Sequence, residues 1–124
     1  MTRGLLFFAA LAIAASLAAL GHPAGDLLQR VPPAAAKRRN PLAGSGPDRR
    51  AGAKLFRQEC AACHGRQAQG MGKAPPLVSP LVQQAEPGKL FWILQNGSLR
   101  RGMPSFAHLP EEERWQIVTY LKSL

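Results

Sequence analysis

Residues 60–64 read CAACH, and Cys60 and Cys63 are the only cysteines among 124 residues. Two cysteines three positions apart staple nothing distant, so a disulfide scaffold is excluded. A small domain without staples must rely on its core or on a group that it holds. His64 follows the second cysteine directly, so one helical turn carries two sulfurs and an imidazole.

The rest of the chain sets the context for that turn. Residues 5–20 form an apolar stretch interrupted only by Ser16, with Arg3 before it. We read residues 1–21 as an export segment, either a signal peptide or an N-terminal membrane anchor. Ala19 and Gly21 suit cleavage before His22, and the basic run Lys37–Arg39 lies on the wrong side for a retained N-in anchor. Residues 22–46 mix Pro, Ala, Gly and basic side chains without apolar periodicity and read as a linker or loosely attached arm. The folded domain is expected over 47–124.

That domain reads as all-α. Ser45 or Asp48, with Pro47 between them, suits a helix start, and Gly52, Phe56 and Cys60 fall on one helical face. Residues 65–80 are rich in Gly and Pro and predict a loop. A second helix is expected from Pro87 to the Asn96-Gly97 stop, then a loop over 98–109. Residues 110–124 predict an amphipathic helix with Pro110 at its first position and Glu111 to Glu113 at the positive end of its dipole. Trp115, Val118 and Leu121 line one side, flanked by Ile117, Tyr120 and Leu124. No alternating β pattern and no repeat is present.

Three chemistries use the CAACH spacing. A redox dithiol places its thiolate at a helix N-terminus, usually within a βαβ unit. Here the cysteines close a helix and no βαβ pattern exists. A zinc site needs four ligands, and His22 and His108 stand alone. Covalent haem attachment needs two sulfurs for the two vinyl groups and an imidazole under the iron, which C-x-x-C-H supplies in order. The apolar N-terminus also delivers the chain to the side of a membrane where such attachment belongs.

The candidates for the sixth iron position are Met71, Met103, His22 and His108. Met71 lies seven residues after His64 in a Gly-Met-Gly stretch, which makes the opposite haem face hard to reach. Met103 lies in RRGMPSF, where Gly102 permits close backbone approach and Pro104 stiffens the loop. A thioether there would favour ferrous iron and raise the potential. Pro75, in the Pro-Pro-Leu of 75–77, is the candidate acceptor for the His64 ring proton.

With CAACH, PPL, GMPSF and RWQIVTYLKSL quoted, the chain resembles class I c-type cytochromes, specifically small bacterial monohaem ones, over residues 47–124. The resemblance implies a cytochrome c fold of about four short helices and loops around one covalent haem c. It implies attachment through Cys60 and Cys63, axial ligation by His64 and Met103, a Pro75 bond to the axial histidine and a Leu77 contact to the porphyrin. It also implies that the first and last helices cross, with Gly52 and Phe56 against Ile117 and Tyr120. Trp92, Arg100 and Arg101 are candidates for the haem propionates, with packing or surface roles as the alternative.

The implied function is one-electron transfer rather than catalysis, in the periplasm or on the outer face of the cytoplasmic membrane. Two alternatives stay open: a dedicated subunit of a periplasmic quinoprotein-type dehydrogenase or terminal oxidase, and a gas sensor or thiol redox protein. The chain carries 16 basic and seven acidic residues, with 11 and six of them in 47–124. A net positive surface suits redox partners with acidic docking faces, with Arg66, Lys73, Arg100 and Arg101 as steering residues. The basic residues do not form an aromatic-interleaved stripe, so nucleic acid is not expected. A monomer is expected, meeting a membrane only through its N-terminus.

Overall fold

The computed structural model describes residues 23–124. The expected export segment and His22 lie outside them. In chain order the helices are α1 (Pro23–Gln29), α2 (Pro33–Ala36), α3 (Gly46–Glu59), α4 (Ala61–His64), α5 (Pro80–Gln83), α6 (Pro87–Asn96) and α7 (Glu111–Leu121). A 3-10 turn, Leu99–Arg101, lies between the last two. Among the described residues there is no strand, only isolated bridges at Met71–Ala74 and Ser98–Met103. The all-α expectation therefore holds, with more helices than the four expected.

Ser45 starts α3. It sits in extended backbone, and its hydroxyl accepts from the Asp48 amide at 3.3 Å. The same hydroxyl donates to Asp48 Oδ2 at 2.5 Å, so cap and first-turn carboxylate support each other. Pro47, in the first turn, costs no hydrogen bond there. α7 starts one residue later than expected: Pro110 is its cap and Glu111 its first helical residue.

α3 and α7 make the most extensive helix pairing. They touch backbone to backbone at Gly52, where an added Cβ would lie 1.9 Å from the Gln116 carbonyl oxygen. One turn on, Phe56 packs against Tyr120 with ring centroids 5.3 Å apart. Phe56, Ile117 and Val118 are fully buried, as are Phe91 of α6 and Trp115 of α7. Phe91 and Trp115 stack at 4.0 Å. Each such side chain contributes roughly 1.5–3 kcal/mol through burial. Leu124, expected beside this stripe, is exposed, because α7 ends at Leu121.

The segment expected as a linker is instead packed onto the domain. Leu28, Val31 and Ala36 are buried. The Ala35 carbonyl oxygen lies 2.3 Å from where a Cβ on Gly88 would stand, so α2 rests on the backbone of α6. Asn40 donates to Thr119 Oγ1 at 2.8 Å, and Arg38 pairs with Glu111 at 2.6 Å. The Arg38 guanidinium also stands over the Phe91 ring at 4.6 Å. Short apolar groups at irregular spacing produce this strap, which is why no helical period announces it.

At the other end of the bundle, Gln83 Nε2 donates to the Leu77 and Leu121 carbonyls at 2.8 and 2.9 Å. Lys122 Nζ donates to the carbonyls of Gln83 and Ala85. Together they tie α5 to the end of α7.

Two outcomes follow for stability. Gly52→Ala should destabilise the protein by about 3 kcal/mol in guanidinium unfolding, because the clash is with backbone that cannot rotate away. Hydrogen bonds from Ser45 and Gln116 hold the Asp48 carboxyl below its ordinary 3.8. A lowered carboxyl stabilises the fold above the unfolded value of 3.8 and loses that contribution as pH falls through the folded value. Asp48→Asn should therefore lower the thermal midpoint at neutral pH, and the gap to the unaltered protein should close on acidification below that value.

Candidate functional site

The end of α3 shapes the cysteine turn. The Cys60 amide closes α3 on the Phe56 carbonyl at 2.9 Å, but Cys60 itself leaves helical geometry with φ −120°. Its carbonyl then accepts from the amides of Cys63 and His64 at 3.1 and 2.9 Å, which forms α4. Gly65, at φ 84°, ends that turn. Cys60, Cys63 and His64 are thereby fixed in one helical turn at the foot of α3.

The two thiols sit in different surroundings. Cys60 belongs to the hydrophobic core, whereas Cys63 is exposed, and both are free. Burial, with smaller contributions from the Glu59 and Cys63 charges, pushes the Cys60 thiol up to about 12. It is neutral at physiological pH, the reverse of what a nucleophilic redox thiol requires.

His64 is held from the loop that follows. Its Nδ1 lies 3.0 Å from the Pro75 carbonyl oxygen. A carbonyl only accepts, so Nδ1 carries the proton and Nε2 keeps its lone pair for a metal. The loop that brings Pro75 there is closed by its own bonds. The Gly70 amide donates to the His64 carbonyl at 2.8 Å, and the Leu77 amide to the Ala68 carbonyl at 2.8 Å. Ala68 is fully buried and takes φ 56° to make that path. Leu77 packs half-buried against the core cluster that includes Cys60.

Met103 packs half-buried against that same cluster. Its amide and carbonyl both bond to Ser98, at 3.1 and 2.9 Å, around the 3-10 turn. Phe106 anchors the far side: its amide donates a hydrogen bond to the Leu94 carbonyl at 2.7 Å. Gly102 was expected to allow close approach, yet a Cβ there would meet nothing within 4 Å. Its role is the left-handed φ of 80° that ends the turn. The close approach is at Gly97 instead, with φ 63° and the Pro104 carbonyl carbon 2.6 Å from an added Cβ.

Met71 is 54% exposed in its glycine loop, and His108 is exposed beside Phe106. Trp92 is half-buried on α6 and Arg100 is exposed. Arg101 is not a lone charge: its Nη2 pairs with Asp26 at 2.7 Å, and Arg30 shares that carboxylate. Asp26 lies 75 positions away in the sequence, so no local signal marks the pair. A surface cavity of about 430 Å³ is lined by Asn40, Arg49, Thr119 and Lys122 and includes none of the predicted site residues.

The donor set fits a covalently held haem: two thiols at attachment spacing, an imidazole with one nitrogen fixed and the other free, and a thioether on a tied loop. Among the described residues no group of three or more His, Cys, Asp or Glu side chains is arranged to hold a metal ion.

Residues 47–121 match the model of the family described as cytochrome C oxidase, cbb3-type, subunit III. Neither the curated proteins nor the solved structures yield a significant match.

The two glycines flanking the Met103 turn should separate in their response. Gly97→Ala adds a backbone clash to left-handed strain and should cost about 3 kcal/mol in guanidinium unfolding of the haem-loaded protein. Gly102→Ala carries the strain alone and should cost about 1 kcal/mol.

Proposed function

This chain belongs to the family of cytochrome C oxidase, cbb3-type, subunit III, and from that membership we propose that it is an exported one-electron carrier with a single haem c ligated by His64 and Met103. Membership makes it a class I c-type cytochrome with covalently bound haem c and an electron-transfer role. The number of haems, the ligands and the free-carrier role are our reading.

The observation that carries it is the hydrogen bond from His64 Nδ1 to the Pro75 carbonyl at 3.0 Å. It selects the tautomer with a free Nε2 and fixes the orientation of the ring. Cys60 and Cys63 would hold the porphyrin as thioethers, and Leu77 would cover part of it. Met103 would supply a neutral soft ligand from the tied Ser98–Met103 loop. Haem c bound there supplies a one-electron ferric/ferrous couple. The chain has one C-x-x-C-H, hence one haem. With side chains on both axial positions no coordination site stays open for substrate, which favours a carrier over an enzyme or a gas sensor.

Residues 5–20 support export, with residues 1–21 as leader or anchor and the working site on the periplasmic side. Among the described residues no helix is long and apolar enough to cross a membrane. Arg66, Lys73 and Arg100 are exposed and suit an acidic partner, whereas Arg101 is tied to Asp26, whose carboxylate it shares with Arg30. The family's description favours a second reading, in which the chain is a subunit of a terminal oxidase.

The first test is a visible spectrum of the protein made with a c-type maturation system. Sharp split bands on reduction and a weak far-red sulfur-to-iron band on oxidation are expected. Met103→Ala should remove the far-red band and let the reduced protein bind carbon monoxide. Cys60→Ser with Cys63→Ser should abolish haem that survives denaturing electrophoresis. A protein that carries no haem overturns the proposal. Arg100→Glu should slow electron exchange with an acidic partner at low salt, and the difference should vanish at high ionic strength. Co-purification with an oxidase core would establish the second reading.

A further inference from the structure

The Asp26–Arg101 ion pair joins the strap of residues 23–44 to the loop that carries Met103. Asp26 Oδ2 accepts from Arg101 Nη2 at 2.7 Å and from Arg30 Nη2 at 3.0 Å. Arg101 closes the 3-10 turn two positions before Met103. Its Nη1 lies 3.5 Å from Ser98 Oγ, and Ser98 is the residue whose backbone pairs with Met103 in both directions. A continuous path of polar contacts thus runs from Asp26 through Arg101 and Ser98 to the Met103 backbone.

The two ends of that path differ in firmness. The strap is anchored independently by buried Leu28, by α1 against α5 and α6, by Asn40 on Thr119 and by Arg38 on Glu111. The turn is closed by its own backbone bonds to Ser98, but its side chains find few partners outside it: Leu99 is 82% exposed, Arg100 is exposed, and Gly102 faces open space. A solvent-facing ion pair adds little to global stability, but it can bias the opening of a segment that few other contacts restrain.

We infer that Asp26 is a positioning residue that latches the N-terminal strap onto the Met103 loop and limits how often that loop lifts. The inference rests on the reading of Met103 as an iron ligand. Loosening the latch would leave the fold intact and raise the exchange of Met103 for an external ligand. Both partners are partly exposed, with side-chain exposures of 46% and 32%, so salt should weaken the latch.

Imidazole titration of the ferric, haem-loaded full chain tests this, with loss of the far-red band as the readout. Asp26→Asn should raise apparent imidazole affinity about two- to five-fold with little change in the guanidinium midpoint, and Asp26→Glu should restore it. Asn40→Ala, which cuts a strap anchor at α7, should lower the midpoint and leave imidazole affinity unchanged. In the unaltered protein, affinity should rise with salt toward that of Asp26→Asn, whose own affinity stays flat. The salt titration of the unaltered protein needs no variant, and an affinity that stays flat with salt overturns the latch. Equal affinities for Asp26→Asn and the unaltered protein overturn the latch and leave Met103 ligation standing. An Asn40→Ala effect as large as that of Asp26→Asn overturns it too, because general strap stability would then be responsible. A far-red band missing from the unaltered protein overturns both the ligand reading and the latch.

Discussion

At Gly52 the backbones of α3 and α7 approach so closely that any side chain would collide with the Gln116 carbonyl. That approach sets the angle at which Phe56 meets Tyr120 and buries Ile117 and Val118. Beyond that contact α3 runs on to Glu59, after which Cys60 enters the core and α4 begins. The attachment turn does not fold by itself: four residues are too few to nucleate a helix in water. It is held because the last turn of α3 feeds it and the core receives Cys60.

The molecule divides into a stiff half and a half made of loops. Helices α3, α6 and α7 carry most of the buried aromatic surface. The segments 65–79 and 98–109 carry Pro75, Leu77 and Met103 on paths held by a few backbone bonds. This arrangement suits a domain that must close around a flat, rigid group. Helices fix one side, and loops with left-handed corners at Gly65, Ala68, Gly97 and Gly102 adapt to the other. The strap adds a third layer across α6 and α7, so the core is larger than 78 residues would supply.

Charge inside this small protein is handled through aromatic rings. Arg114 is 9% exposed, and its Nε and Nη1 find no hydrogen-bond partner among the described residues. Its guanidinium stands 4.8 Å over the Phe91 ring, and Arg38 stands 4.6 Å from the same ring. Stacking Phe91 on Trp115 therefore does more than fill volume: it offers electron-rich surface to two cations, one of them buried, and Glu111 balances the other.

Local chemistry was readable from the sequence wherever it depends on spacing or on a residue's own backbone preference. The five residues CAACH, the Ser45-Gly-Pro-Asp48 start of α3, the Gly97 stop of α6 and the apolar stripe of α7 are all short-range patterns. The Gly52–Phe56 and Ile117–Tyr120 pairing came through resemblance, and the geometry agrees. Tertiary structure alone decided the rest. The strap at 23–44 has no period of its own and is helical because α6 and α7 give its apolar residues somewhere to go. Arg101 reads as a free surface charge until the fold brings Asp26 to it across 75 positions. Close backbone approach was expected at Gly102, and only the position of Pro104 gives that contact to Gly97 instead. A pattern within a few residues is set by covalent geometry and local hydrogen bonds, whereas a partner many turns away is chosen by how the whole chain packs.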